Sequence, residues 1–160
     1  MTIDSDELWM THQQPQFGEG LSKSMLSKVL GLEEEELDEK FPVLEVSTGL
    51  PFTIVPVKTL KSLKKACVNL TEYEKFINKT RAKGILIFCK EGREADHDLS
   101  SRVFVNYLGI PEDPATGSGT GCLAAYLLKT GYYDSKTIEL TVGQGYDCLL
   151  YTSPSPRDRT

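Results

Sequence analysis

Two hydrophobic periods alternate along this chain, and the switches between them mark out its elements. Over residues 21–30, Leu21, Met25, Leu26, Val29 and Leu30 recur at helical spacing, and Gly31 is placed to end that helix in a left-handed cap. Residues 43–46 and 52–57 are β-branched or apolar runs flanking the turn Ser47-Thr48-Gly49-Leu50-Pro51, which predicts two strands around a tight loop. Residues 61–66 and 71–80 pattern as helices; in the second, Thr71 is the candidate N-cap and Glu74 has the capping-box spacing. The run Ile85-Leu86-Ile87-Phe88-Cys89 is apolar at every position and short, which predicts a buried strand. Residues 102–105 and 137–142 are further expected strands. Residues 8–11 predict a short strand, and residues 13–20, with Pro15, Gly18 and Gly20, a linker. The acidic run Glu33-Glu34-Glu35-Glu36 between Leu32 and Leu37 reads as a solvated helical turn without a functional role.

Strands and helices are mixed here without a strict strand–helix–strand repeat, so the expected class is α+β rather than a doubly wound sheet. With 160 residues, 39% hydrophobic and 26% charged, the chain has the composition of one globular domain. A formal net charge of -5 leaves no basic stripe for a phosphate backbone, so nucleic acid is not an expected partner. Apolar runs fall far short of the roughly 20 residues that span a bilayer, and the first residues, Met1-Thr2-Ile3-Asp4-Ser5-Asp6, lack the basic and apolar regions of a secretion signal. No membrane partner and a cytoplasmic location are the expectations. Cys67, Cys89, Cys122 and Cys148 show no C-x-x-C spacing, and with only His12 and His97 there is no zinc constellation, so reduced structural thiols and no metal are expected.

The candidate chemistry lies near the chain's last third. After Pro114, Gly117 and Gly119, the run Gly121-Cys122-Leu123-Ala124-Ala125-Tyr126-Leu127-Leu128 is apolar or small on nearly every side. That predicts a helix over about residues 118–130, buried all round, with Lys129 at its negative pole and Gly131 as its terminator. Glycines and Ser118 at its start leave backbone N–H groups unshielded, an arrangement that suits an anion such as a carboxylate. The dipole would add about 0.3–1 kcal/mol there. Asp113, four residues before Gly117, would place a proton carrier beside that anion. The same residues suit a simpler reading, in which Asp113 and Ser118 cap a core helix and the glycines allow close packing. A nucleotide site fits less well, because Gly117-x-Gly119-x-Gly121 has the wrong last spacing for a dinucleotide fingerprint and no Gly-Lys-Ser/Thr follows.

Several motifs together resemble one family. Ser101-Arg102-Val103-Phe104, then Gly109-Ile110-Pro111-Glu112-Asp113-Pro114-Ala115-Thr116-Gly117-Ser118, then Gly121-x-Leu123-Ala124-Ala125-Tyr126-Leu127 closely resemble the second-lobe signature of phenazine-biosynthesis (PhzF-like) proteins. Ser47-Thr48-Gly49-Leu50-Pro51-Phe52, Val55-Pro56-Val57 and Gln144-Gly145-Tyr146 extend the resemblance over residues 7–147. It implies a diaminopimelate-epimerase-like fold, in which each of two lobes wraps a mixed sheet around a central buried helix, here about residues 118–130. The expected domains are then residues 1–20 as the end of the first lobe and a linker, and residues 21–147 as a truncated second lobe. Residues 148–160, from Cys148 through Pro154, Pro156 and Arg157, resemble a translated sequencing adapter rather than native sequence.

By that resemblance, Asp113 is one acid/base residue, and Gly117 and Ser118 hold the substrate carboxylate. The implied activity is a cofactor-independent isomerase that moves a proton or double bond on a small carboxylic acid, homodimeric when intact. Asp113 stands where a cysteine-based racemase would need its thiol, so Cys122 is expected to pack rather than react. The family's catalytic Glu and pocket His belong to the first lobe, and no segment of this chain matches them; His12 and His97 are expected on loops or strand ends. The chain departs from the family pattern at Gly119-Thr120 and at the closing Gly-Arg-Pro-Ser strand. Two other readings stand beside this one: a non-catalytic module binding small ligands on the same scaffold, and an inert product that lacks the missing N-terminal lobe.

Overall fold

A computed structural model describes residues 2–4 and 7–147. The adapter-like residues 148–160 lie outside the described residues. The core is a six-stranded mixed sheet in the order β3-β4-β5-β6-β7-β8, formed by β3 (Gln16–Leu21), β4 (Val43–Ser47), β5 (Pro51–Pro56), β6 (Gly84–Cys89), β7 (Leu99–Phe104) and β8 (Val142–Gln144). The pairs β5–β6 and β7–β8 are parallel and the others antiparallel. A separate hairpin joins β1 (Thr2–Asp4) to β2 (Glu7–Trp9).

β6 occupies the middle, and its side chains divide between two cores. Ile85, Ile87 and Cys89 face α1 (Lys23–Leu30), α2 (Leu60–Lys65) and α3 (Leu70–Ile77), while Leu86 and Phe88 face α4 (Gly117–Thr130). Covering both faces explains why this strand is apolar throughout rather than alternating. On the α4 side, the Phe88 ring meets Tyr126 edge-on at 5.6 Å and Tyr132 at 5.3 Å. The Tyr126 hydroxyl donates to the Pro42 carbonyl at 2.6 Å, and burial pushes this phenol well above its ordinary titration range.

Local chemistry ends α1 and α4 where the sequence places them, while α1 starts two residues later than expected, the third helix ends at Ile77 and β7 begins at Leu99. Ser22 caps α1 by accepting from the Met25 amide, and Gly31 closes it at φ 64°. Gly131 ends α4 in the same way at φ 65°. The acidic run forms a 3-10 turn, Glu34–Glu36, with a capping box between Glu33 and Glu36. Glu36 also takes Lys65 and Ser62, and the Glu33 amide and Lys65 hold its carboxyl below the usual range.

The structure corrects several expectations. Residues 16–20, expected as linker, and Leu21, expected to open the first helix, form β3, an edge strand almost wholly exposed, so no burial pattern betrays it. Its register against β4 shifts between Phe17 and Gly20, which accommodates the glycines as an irregularity. The third helix is capped by Asn69, which accepts from the Glu72 amide, rather than by Thr71. Residues 137–141 are not a strand: Ile138 and Leu140 pack against the α4-side core, but pairing with β7 begins only at Val142. Nor is α4 buried all round, because Leu128 is 43% exposed and Ala124 and Ala125 are half-buried. Its buried face is Gly119, Gly121, Cys122, Leu123, Tyr126 and Leu127.

Phe88 is fully buried and meets the Tyr126 ring of α4 edge-on, so Phe88→Ala is expected to destabilise the chain by about 3–5 kcal/mol in urea unfolding. A loss below about 1 kcal/mol would mean that the aromatic cluster rearranges to fill the space.

Candidate active site at the start of α4

The segment that leads into α4 runs along the outer edge of β7. Leu99, Ser100 and Ser101 pair in parallel with β8, and beyond them Val103 forms an antiparallel bridge to Asp113, whose amide donates to the Val103 carbonyl at 2.9 Å. Extended backbone sends successive side chains to opposite faces. Glu112 and Asp113 therefore straddle the sheet edge.

On the face of α1 to α3, Glu112 meets Arg102 in a bidentate pair: Nε donates to Oε1 at 3.1 Å and Nη2 to Oε2 at 2.9 Å. Arg102 is 8% exposed, and its Nη1 donates to the Leu63, Lys64 and Ala66 carbonyls at 2.9, 3.3 and 2.7 Å. Those are the open carbonyls at the end of α2, where the helix dipole also favours a cation. A guanidinium suits this position because its donors are spread in a fixed planar fork; a lysine ammonium could not reach the same set. The Arg102 guanidinium also stacks on the Phe104 ring, 4.9 Å from its centroid.

On the α4 face, Asp113 is half-buried and its carboxylate is held twice. Oδ1 accepts from the Ala115 amide at 3.2 Å, and Oδ2 accepts from the Thr116 hydroxyl at 2.8 Å. Thr116 is the residue at the N-cap of α4, but its hydroxyl makes no capping bond. Neither Asp113 nor Ser118 occupies the cap position. Gly117, which is exposed, and Ser118, which is half-buried, open the first turn of α4, and that turn contains no acidic residue. Asp113, Gly117 and Ser118 thus lie at one helix start.

Residues 10–12 cross this helix. A Cβ on Gly117 would collide with the Met10 methyl, and one on Gly121 would lie 2.5 Å from the His12 ring. Glycine at these positions lets the strap lie directly on the helix backbone. His12 Nδ1 is 3.4 Å from Thr48 Oγ1, which in turn lies 3.7 Å from Cys122 Sγ. Cys122 is buried, and burial pushes its thiol up, away from a nucleophilic thiolate.

The sequence singled out Asp113, Gly117 and Ser118, but not the side-chain partners of Asp113 or of its neighbour. Alternation through Glu112-Asp113 was the available signal for Arg102; no spacing rule points to Gln144. His97 sits away from α4, on the loop between β6 and β7, edge-on to Tyr146 with ring centroids 5.7 Å apart. With Glu94 and Asp96 it forms a cluster whose ligand atoms lie within 4.8 Å, and the Tyr146 hydroxyl donates to Glu94 at 2.5 Å. Glu94 and Asp96 are exposed. A groove of about 760 Å³ opens on the opposite side of the sheet edge, between Cys67, Leu70, Phe104, Ile110 and Tyr146, and Asp113 does not line it.

Because the charge of Arg102 is buried and Glu112 is its bidentate partner, with Asp147 Oδ2 farther off at 3.5 Å from Nε, removing Glu112 alone is expected to cost more than removing Arg102 and Glu112 together. Glu112→Ala should destabilise the chain by about 3–5 kcal/mol, and Arg102→Met combined with Glu112→Met by clearly less, in the same denaturant titration. Equal losses in the two variants would show that the pair is not desolvated.

Residues 2–148 match the family described as phenazine biosynthesis-like protein, PhzC-PhzF. An uncharacterized isomerase of Clostridium acetobutylicum is 31% identical over 147 residues, covering 89% of this chain and 49% of that protein. The crystal structure of a PhzF-family phenazine biosynthesis protein from Bacillus anthracis superposes with a TM-score of 0.72 at 31% identity, over 85% of this chain and 46% of that one. The structure of a Pseudomonas aeruginosa protein described as a predicted epimerase gives a TM-score of 0.62 at 29% identity, over 76% of this chain and 40% of that one. The chain spans about half the length of the curated relatives it matches. Its mixed sheet and central helix are those of a diaminopimelate-epimerase-like lobe. By sequence and by fold, this chain belongs to the phenazine biosynthesis-like, PhzC-PhzF family.

Proposed function

We propose that the intact protein is a cofactor-independent isomerase that shifts a proton or double bond on a small carboxylic acid, with Asp113 as one acid/base residue. The observation that carries this reading is the placement of Asp113 immediately before the glycine-rich start of α4, anchored by Ala115 and Thr116. An ionised carboxylate has about four acceptor sites, so two protein donors leave capacity for a substrate proton. Gly117 and Ser118 would hold the substrate carboxylate on backbone amides and the hydroxyl, at the positive end of the helix dipole. Relatives named as isomerases support the reaction class.

Proton transfer at carbon needs a second group to deliver or receive the proton. In this proposal, that group comes from a preceding lobe of the same polypeptide, and the intact protein is a homodimer. The described chain supplies one wall of the site and is inactive by itself.

In the two-lobed protein, wild type in D2O is expected to introduce deuterium at carbon in one or more of a panel of small carboxylic acids, read by mass spectrometry. Asp113→Asn should slow incorporation by about 10²–10⁴-fold with an unchanged circular dichroism spectrum. Incorporation at the wild-type rate in Asp113→Asn would remove Asp113 from the mechanism. Incorporation by neither protein across the panel would favour a ligand-binding module.

A further inference from the structure

We infer that Gln144 is a positioning residue for Asp113, acting through Thr116, a role that rests on the proton-carrier reading of Asp113. Gln144 ends β8, directly across from Ser101 on β7. Its Nε2 donates to the Asp113 carbonyl at 2.9 Å and to Thr116 Oγ1 at 3.0 Å. A primary amide has two N–H protons, and here each has its own acceptor. The backbone carbonyl can only accept, which fixes the side-chain amide with its nitrogen toward Asp113.

This fixes the direction of the next bond. With one lone pair of Thr116 Oγ1 taken by Gln144, the hydroxyl proton is free to point at Asp113 Oδ2, 2.8 Å away. Thr116 is buried at the N-cap yet makes no capping bond, so its hydroxyl is committed to this relay rather than to the helix. Gln144 thereby grips Asp113 at its carbonyl and, through Thr116, at its carboxylate. The two grips restrict the backbone and the side chain of Asp113 together.

The charged and titratable groups nearby are held by other contacts, among them His97, whose ring packs on Gly143 of β8 and on Tyr146. On its own segment, Glu112 is turned to the other face and paired with Arg102 of β7. The β8 residues Val142, Gly143 and Gln144 carry no charge, and neither does the first turn of α4. His12, on the strap, lies over Gly121, and the buried Cys122 faces Thr48.

Amide-by-amide solvent exchange, followed by NMR on the full 160-residue chain, tests the relay without any substrate. In Gln144→Met and in Thr116→Val, the Ala115 amide, which bonds Asp113 Oδ1, is expected to exchange about fivefold faster or more, while the β6 amides keep their wild-type rates. Thr116→Ser restores the hydroxyl and should bring Ala115 back toward wild type. Unchanged Ala115 exchange in both Gln144→Met and Thr116→Val overturns the inference. So does acceleration shared equally with β6, or a Thr116→Ser variant that behaves like Thr116→Val. Because turnover plays no part in this readout, it stands or falls separately from the deuterium experiment on Asp113→Asn.

Discussion

Arg102 is the constraint on which the arrangement depends. A guanidinium placed in a protein interior is costly unless its donors are matched, and here one side chain satisfies the carboxylate of Glu112 and the open end of α2 together. This ties three parts of the chain that are remote in sequence: the end of α2, the strand β7 and the segment entering α4. The consequence for the site is geometric. Adjacent residues of an extended segment point to opposite faces, so locking Glu112 toward the helices forces Asp113 toward α4. A slip of one residue would exchange their directions.

Helix α4 receives that carboxylate at a start built from small residues. The glycines that leave its first amides unshielded also let Met10 and His12 lie against the helix. The same composition therefore serves packing on one side and access on another. The remaining face is anchored conventionally, by Leu123, Tyr126 and Leu127 against Leu86 and Phe88. Rigidity comes from the sheet, and in the proposed function the chemistry falls at the small-residue start of α4.

Much of this was legible in the sequence, for physical reasons that differ from element to element. The continuous apolar run of β6 has one economical explanation, burial on two faces, and Gly31, free to adopt a left-handed conformation, marks the end of α1. β3 was illegible because an edge strand exposed on both faces has no alternation to read, and its glycines mimic a linker. Residues 137–141 showed the opposite problem: Ile138 and Leu140 are apolar because they pack on the core, not because they pair. Asp113 was visible as an acid before a glycine-rich helix start. Its support was not, because Gln144 lies 31 residues away and meets it only after β8 has docked on β7. Arg102 likewise needs both α2 and Glu112 in place before its partners can be named.

The Arg102–Glu112 pair sets the register that aims Asp113 at α4. A crystal structure of the chain carrying Arg102→Met and Glu112→Met would test it directly, since removing both charges leaves no unpaired buried ion to unfold the protein. In that variant β6, β7 and α4 are expected to superpose on the wild type while the Asp113 carboxylate moves by about 1 Å or more, a displacement large enough to disable a positioned catalytic group. If Asp113 instead keeps its 2.9 Å bond to the Val103 carbonyl and its 2.8 Å bond from Thr116 unchanged, the register is set elsewhere and the claim is contradicted.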